Sequence, residues 1–198
     1  MNRKTKKEKV ADSIGEYKVL RQLLDAMIRP EIIVNSELLK SQKCDGLCCF
    51  VEATGRLVIV TNPQDYKEEI HFLTLFHELM HFARYLREDF DRYDELSKLS
   101  MQSEEFKMLS AYEELLAFWG SYLICGGQNM ESENKRIILR CVSHYCDILG
   151  KTFKELQIRA TLDAEKAFNE LFKERIAILG KEYVNSNFVG IKVTFGVA

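Results

Sequence analysis

Two histidines with three residues between them, the first followed directly by a glutamate, stand at His77-Glu78-Leu79-Met80-His81. At 3.6 residues per turn both imidazoles project from one helix face about a turn apart, within reach of a single metal ion. Glu78 points to one side of that face. There it is poorly placed as a ligand but well placed to take a proton from water activated by the ion, the general-base role in a zinc hydrolase. The competing account is a buried amphipathic helix whose two histidines are satisfied by ordinary hydrogen bonds.

Either account needs a helix, and the local sequence predicts one. From about residue 65 to Leu86 there is no Pro or Gly, and Pro63 lies just upstream. Ile70, Phe72, Leu73, Leu75, Phe76, Leu79, Met80, Phe82 and Ala83 make the stretch apolar nearly all round, as in a central buried helix. Two histidines and a glutamate in such a helix are costly to desolvate without partners, and a bound divalent cation supplies one.

A catalytic zinc site takes one more protein ligand and leaves a fourth position to water. A second apolar helical stretch, from about Phe106 to Ile124, contains only two acids, Glu113 and Glu114. Adjacent positions cannot share a helix face, so one is expected to face the metal and the other solvent or a supporting partner. The alternative is that both are solvated surface acids.

Other elements must position these two helices. Apolar positions at helical spacing predict a helix from about Lys7 to Ile28, ended by Pro30. Ile32 to Val34, Leu47 to Val51 and Leu57 to Thr61 read as strands, with a hairpin between the last two. An extended peptide substrate could pair with an edge strand beside the metal helix, and Leu57 to Thr61 is the expected edge. The polar stretch Glu88 to Glu104 reads as a loop with a short helix that covers the cleft. Asn134 to Leu149 and Thr152 to Leu179 read as helices separated at Gly150, and Asn187 to Val197 as a strand or a docked tail.

Composition bounds the function classes. The 198 residues are 46% hydrophobic, enough for one core without disulfides, and the expectation is a single α+β domain over 1–198. Within it, 1–64 form an N-terminal helix and small sheet, 65–126 the metal-site helices, 131–180 the C-terminal helices and 181–198 a tail. A net charge of −2 argues against nucleic-acid binding by the whole surface, and the basic cluster Arg3, Lys4, Lys6, Lys7 and Lys9 reads as a solvated tail. No apolar stretch is long enough for a membrane span. Cys44, Cys48, Cys49, Cys125, Cys141 and Cys146 lack paired C-x-x-C spacing and accompany no signal peptide, so reduced thiols in a cytoplasmic protein are expected. A second metal site at Cys44, Cys48 and Cys49 would lack a local fourth ligand.

Thr74-Leu75-Phe76-His77-Glu78-Leu79-Met80-His81, then Tyr112-Glu113-Glu114-Leu115-Leu116-Ala117 and Gly120 to Cys125, resembles the zincin domain of the antirestriction protein ArdC family and its phage polyvalent-protein relatives. It is more distantly similar to ImmA/IrrE-type metallopeptidases. The resemblance spans roughly residues 65 to 175. It implies a small zincin of the minigluzincin type, with a short sheet packed on the central helix and a helical C-terminal part, and a link to mobile genetic elements. In that family the third ligand is a Glu followed three positions later by a small residue, and Glu114 with Ala117 fits this frame where Glu113 does not.

The resemblance thus implies Zn²⁺ held by His77, His81 and Glu114, with Glu78 as general base in hydrolysing a protein or peptide substrate. The chain departs from the family at Phe118, where the pattern carries an acid supporting a metal-ligating histidine. It departs again at Cys141, where the family tends to carry a Tyr. Tyr112 and His144 become the candidates for the oxyanion's hydrogen-bond donor. The family's separate DNA-binding domain has no counterpart in Met1 to Gln64, which is too short and too neutral. Two other readings follow from these departures: a degenerate zincin that binds a partner, and a structural metal site closed by Glu113 or His144.

Overall fold

The computed structural model describes residues 30–51, 56–62, 68–86, 102–127 and 130–188, together with Leu24, Met27 and Ser100. The described architecture is α+β, in the order β1 (Glu31–Val34), α1 (Ser36–Gln42), β2 (Gly46–Val51), β3 (Arg56–Thr61), α2 (Glu69–Leu86), α3 (Glu104–Ile124), α4 (Ser132–Ile148) and α5 (Phe153–Phe188). The expected N-terminal helix, most of the polar stretch expected to cover the cleft (87–99) and most of the C-terminal tail lie outside the described residues.

The sheet has the order β1-β3-β2, with β1 parallel and β2 antiparallel to β3. This corrects one expectation: the strand holding Leu57 to Thr61 is the middle of the sheet, not its edge. Val58, Ile59, Val60 and Thr61 are all buried in succession, the pattern of a strand covered on both faces. Leu57 and Ile59 join the large helical core, while Val58 and Val60 pack with Leu39 of α1 on the opposite face. The edge lying along α2 is β2, whose register with β3 runs from Gly46 opposite Thr61 to Val51 opposite Arg56.

Helix α1 was not anticipated, although its signals are local. The Asn35 side chain accepts a hydrogen bond from the Leu38 N–H at 3.0 Å, and Glu37 sits in the first turn. At the other end Lys43 adopts φ 57°, with Lys43 N–H bonding Lys40 O and Cys44 N–H bonding Leu39 O. This turn delivers the chain into β2 beside α2.

Helix α2 is the centre of the core. Phe72, Leu75, Phe76, Leu79, Met80 and Ala83 are fully buried between the sheet and helices α3 and α5. Helices α2 and α3 approach closely at Gly120, where an added Cβ would stand 2.2 Å from Met80 Cε and oblige that side chain to move. Helix α4 is tied to the start of α2 by Glu69, whose carboxylate accepts from the Glu131 N–H at 3.1 Å and the Asn134 side-chain amide at 2.8 Å. Helix α5 is fixed to α3 by Trp119 Nε1–H donating to Thr161 Oγ1 at 2.9 Å and by Phe168 packing near Gly120. Among the described residues no helix is long and apolar enough to cross a membrane.

Candidate metal centre

His77 and His81 rise from α2 one turn apart, their Nε2 atoms 3.2 Å from each other. Glu114 of α3 faces both, with Oε2 3.4 Å from His77 Nε2 and Oε1 3.6 Å from His81 Nε2. The three side chains offer ligand atoms that all lie within 4.8 Å of one another. Among the described residues no other group of three such side chains comes together, so Cys44, Cys48 and Cys49 form no second site. All six cysteines are free, and burial together with the Glu78 carboxylate pushes the Cys44, Cys48 and Cys49 thiols up, away from the thiolate a metal would need.

The choice between the two adjacent acids is made by Arg84. Its Nε donates to Glu113 Oε2 at 2.9 Å and its Nη2 to Glu113 Oε1 at 2.8 Å, a bidentate pair with both residues buried. Arg84 lies three residues beyond His81, so the pair locks α3 against α2 in the register that turns Glu114 toward the histidines. Sequence reasoning missed Arg84. The signal was present: an arginine in a buried apolar helix needs a buried acid, and the other apolar helix offered two.

Electrostatics follow from burial and proximity. Burial works to raise the Glu114 carboxyl, but the His77 hydrogen bond and the charges of His81 and His77 outweigh it and hold the group below the usual range. Burial lowers His81 to about 4, with His77 adding to the shift, so its imidazole is neutral and able to ligate at physiological pH. Glu78 is pushed up to about 7 by burial; His77 opposes the shift, Glu114 adds to it, and the Cys48 backbone N–H donates to its carboxylate. Gly46 makes that contact available, since a Cβ there would stand 2.8 Å from Glu78 Oε1 and 3.0 Å from Thr74 Cγ2.

The two candidate oxyanion donors are not brought to this cluster. Tyr112 stands two positions before Glu114, about 200° around α3 by helix geometry. Its hydroxyl donates to Asp163 Oδ2 at 2.7 Å and its ring receives the Arg159 guanidinium at 4.9 Å. His144 is exposed on α4. Tyr145, one residue on, lines the cleft instead, and burial and the Glu114 charge push its hydroxyl up to about 12, so it keeps its proton.

Phe118 packs its ring edge-on to His77 at 4.4 Å and stacks on Tyr145 at 6.0 Å. His77 Nδ1 is buried without a hydrogen-bond partner. Aromatic packing therefore orients this imidazole where a carboxylate often does. The cluster opens into a cleft of about 880 Å³ bounded by β2, α2, α3 and α4.

The raised Glu78 group has a measurable consequence. A cation beside it favours the carboxylate, so metal binding at pH 6 expels a proton that the metal-free protein holds below about pH 7. Calorimetry in buffers of different protonation enthalpy should show close to one more proton released by the native chain than by Glu78→Gln at pH 6, and no difference at pH 8.5. Equal release at pH 6 would contradict this picture. No protein-family model, no curated protein and no solved structure matches the chain.

Proposed function

We propose that this chain is a zinc-dependent peptidase of the small zincin type, with His77, His81 and Glu114 as ligands and Glu78 as general base. The observation that carries the reading is the convergence of two imidazole nitrogens and one carboxylate, with ligand atoms within 4.8 Å of one another. A tetrahedral ion at about 2.0–2.1 Å from each ligand sets neighbouring ligand atoms about 3.3–3.4 Å apart. His77 Nε2 and His81 Nε2 lie 3.2 Å apart, and the two Glu114 oxygens approach them separately, Oε2 to His77 at 3.4 Å and Oε1 to His81 at 3.6 Å, each close to that value. Magnesium prefers all-oxygen ligation and avoids imidazole, which disfavours it at a site with two histidines.

A bound zinc ion supplies Lewis acidity, polarising the scissile carbonyl and bringing the pKa of water toward neutrality. The chain does the rest. Glu78 takes a proton from the attacking water as its oxygen bonds to the carbonyl carbon, and returns that proton to the amine nitrogen as the C–N bond breaks. Tyr145, protonated and facing the cleft, is the donor for the oxyanion in place of Tyr112 and His144. Strand β2, with no further strand on its outer side among the described residues, offers backbone groups to an extended peptide directly beside Glu78.

A second reading is a catalytically degenerate zincin that binds a partner, favoured by Tyr112 being engaged by Asp163 and by Tyr112 and His144 both lying outside the cleft lining. Incubating the zinc-loaded chain with a proteome-derived peptide mixture separates the two. The peptidase reading expects cleavage that a chelator stops and added zinc restores; a fully zinc-loaded chain that cuts no peptide would overturn it.

A further inference from the structure

The cleft is chemically uneven along its length. The cleft residues that α2 contributes before His77, and all those contributed by α4, are uncharged. Two of them, Ile70 and Ile137, are exposed by 39% and 44% inside this concave surface. Leu73 and the buried Ile138 stand beside them on the same helices. The wall is held in place, because Glu69, next to Ile70, accepts the hydrogen bond from Asn134, one turn before Ile137. Phe118 connects this apolar end to the metal cluster through its contact with His77.

Apolar surface left in water within a concave site is stabilised when a ligand covers it. Because the patch starts at the ring touching a metal ligand, the group that covers it must belong to a residue adjoining the reacting bond. Resting on the peptidase reading above, we propose that Ile70, Ile137 and Phe118 form a specificity subsite for a large apolar side chain, of leucine to phenylalanine size, next to the scissile peptide bond. Acidic and basic side chains find no countercharge on the α2 and α4 walls there and lose their hydration on entering.

Short peptide hydroxamates test this without turnover, since the hydroxamate binds zinc and presents one side chain to the neighbouring subsite. With the zinc-loaded full chain, compounds bearing Leu or Phe should bind roughly tenfold or more tighter than the Gly compound, and those bearing Asp or Lys no tighter than Gly. Ile137→Asp, at an exposed helix position, should bring the Leu-to-Gly ratio close to one with zinc content unchanged, and Ile137→Ala should reduce it part of the way. A ratio near one in the native chain, or a ratio insensitive to both variants, overturns the subsite. Selective binding by a chain that cleaves no peptide keeps the subsite and sinks the peptidase reading. Cleavage without side-chain preference does the reverse, and failure of every hydroxamate to bind removes both.

Discussion

On the peptidase reading, Glu78→Gln is expected to remove peptide hydrolysis while the chain stays folded and still binds zinc. Gln fills the same volume in a position only 6% exposed and still accepts from the Cys48 N–H, but it cannot take a proton from water. Loss of a general base costs about 10²–10⁴-fold in rate, so kcat/KM on any peptide the native chain cleaves should fall by at least that factor. The variant should also report on the buried charge. The folded-state carboxyl, at about 7, lies above its ordinary 4.5, so its contribution to stability is present below about pH 4.5 and lost as pH rises through 7. Metal-free Glu78→Gln should therefore melt above the native chain at pH 8 by more than it does at pH 5. Undiminished hydrolysis would refute the base assignment, and a cellular effect that survives the change would favour the partner-binding reading.

Arg84→Ala is expected to be the most destabilising single change near the site. It leaves the Glu113 carboxylate buried without its guanidinium, and breaking one side of a buried ion pair costs about 3–5 kcal/mol. For a chain of this size each kcal/mol lowers Tm by about 2–4 °C, so thermal unfolding should shift down by about 6–20 °C. Zinc affinity should fall as well, although no ligand is touched, because the pair fixes the α2–α3 register that presents Glu114. The double variant Arg84→Met, Glu113→Gln should recover much of the Tm, since two neutral groups of similar volume replace the pair. A Tm loss of only a degree or two in Arg84→Ala, with native zinc affinity, would contradict this role.

The legible parts of the sequence were those written in local spacing. His77, Glu78 and His81 lie within two turns of one helix, so their geometry follows from 3.6 residues per turn. The hairpin of β2 and β3 and the break at Gly150 were equally local. Strand order was not, because Leu57 to Thr61 reads the same whether its neighbours are strands or solvent, and only the burial of four consecutive residues identifies it as central. The choice of Glu114 over Glu113 depends on a contact across 29 positions, to Arg84. The cleft face of α4 could have been read from Ile137, Cys141 and Tyr145, which recur every four residues, although His144, seven after Ile137, falls at nearly the same helix angle and is set aside only by the tertiary packing. Tyr112 could have been set aside by its angle from Glu114 on α3.

Zinc stoichiometry, measured by elemental analysis on full-length protein purified without chelator and compared with Glu114→Ala, bears most directly on the three-residue site. The account predicts close to one zinc per native chain and a sharp loss in the variant with its fold retained. No zinc in the native chain even after reconstitution, or an unchanged content in Glu114→Ala, would contradict it.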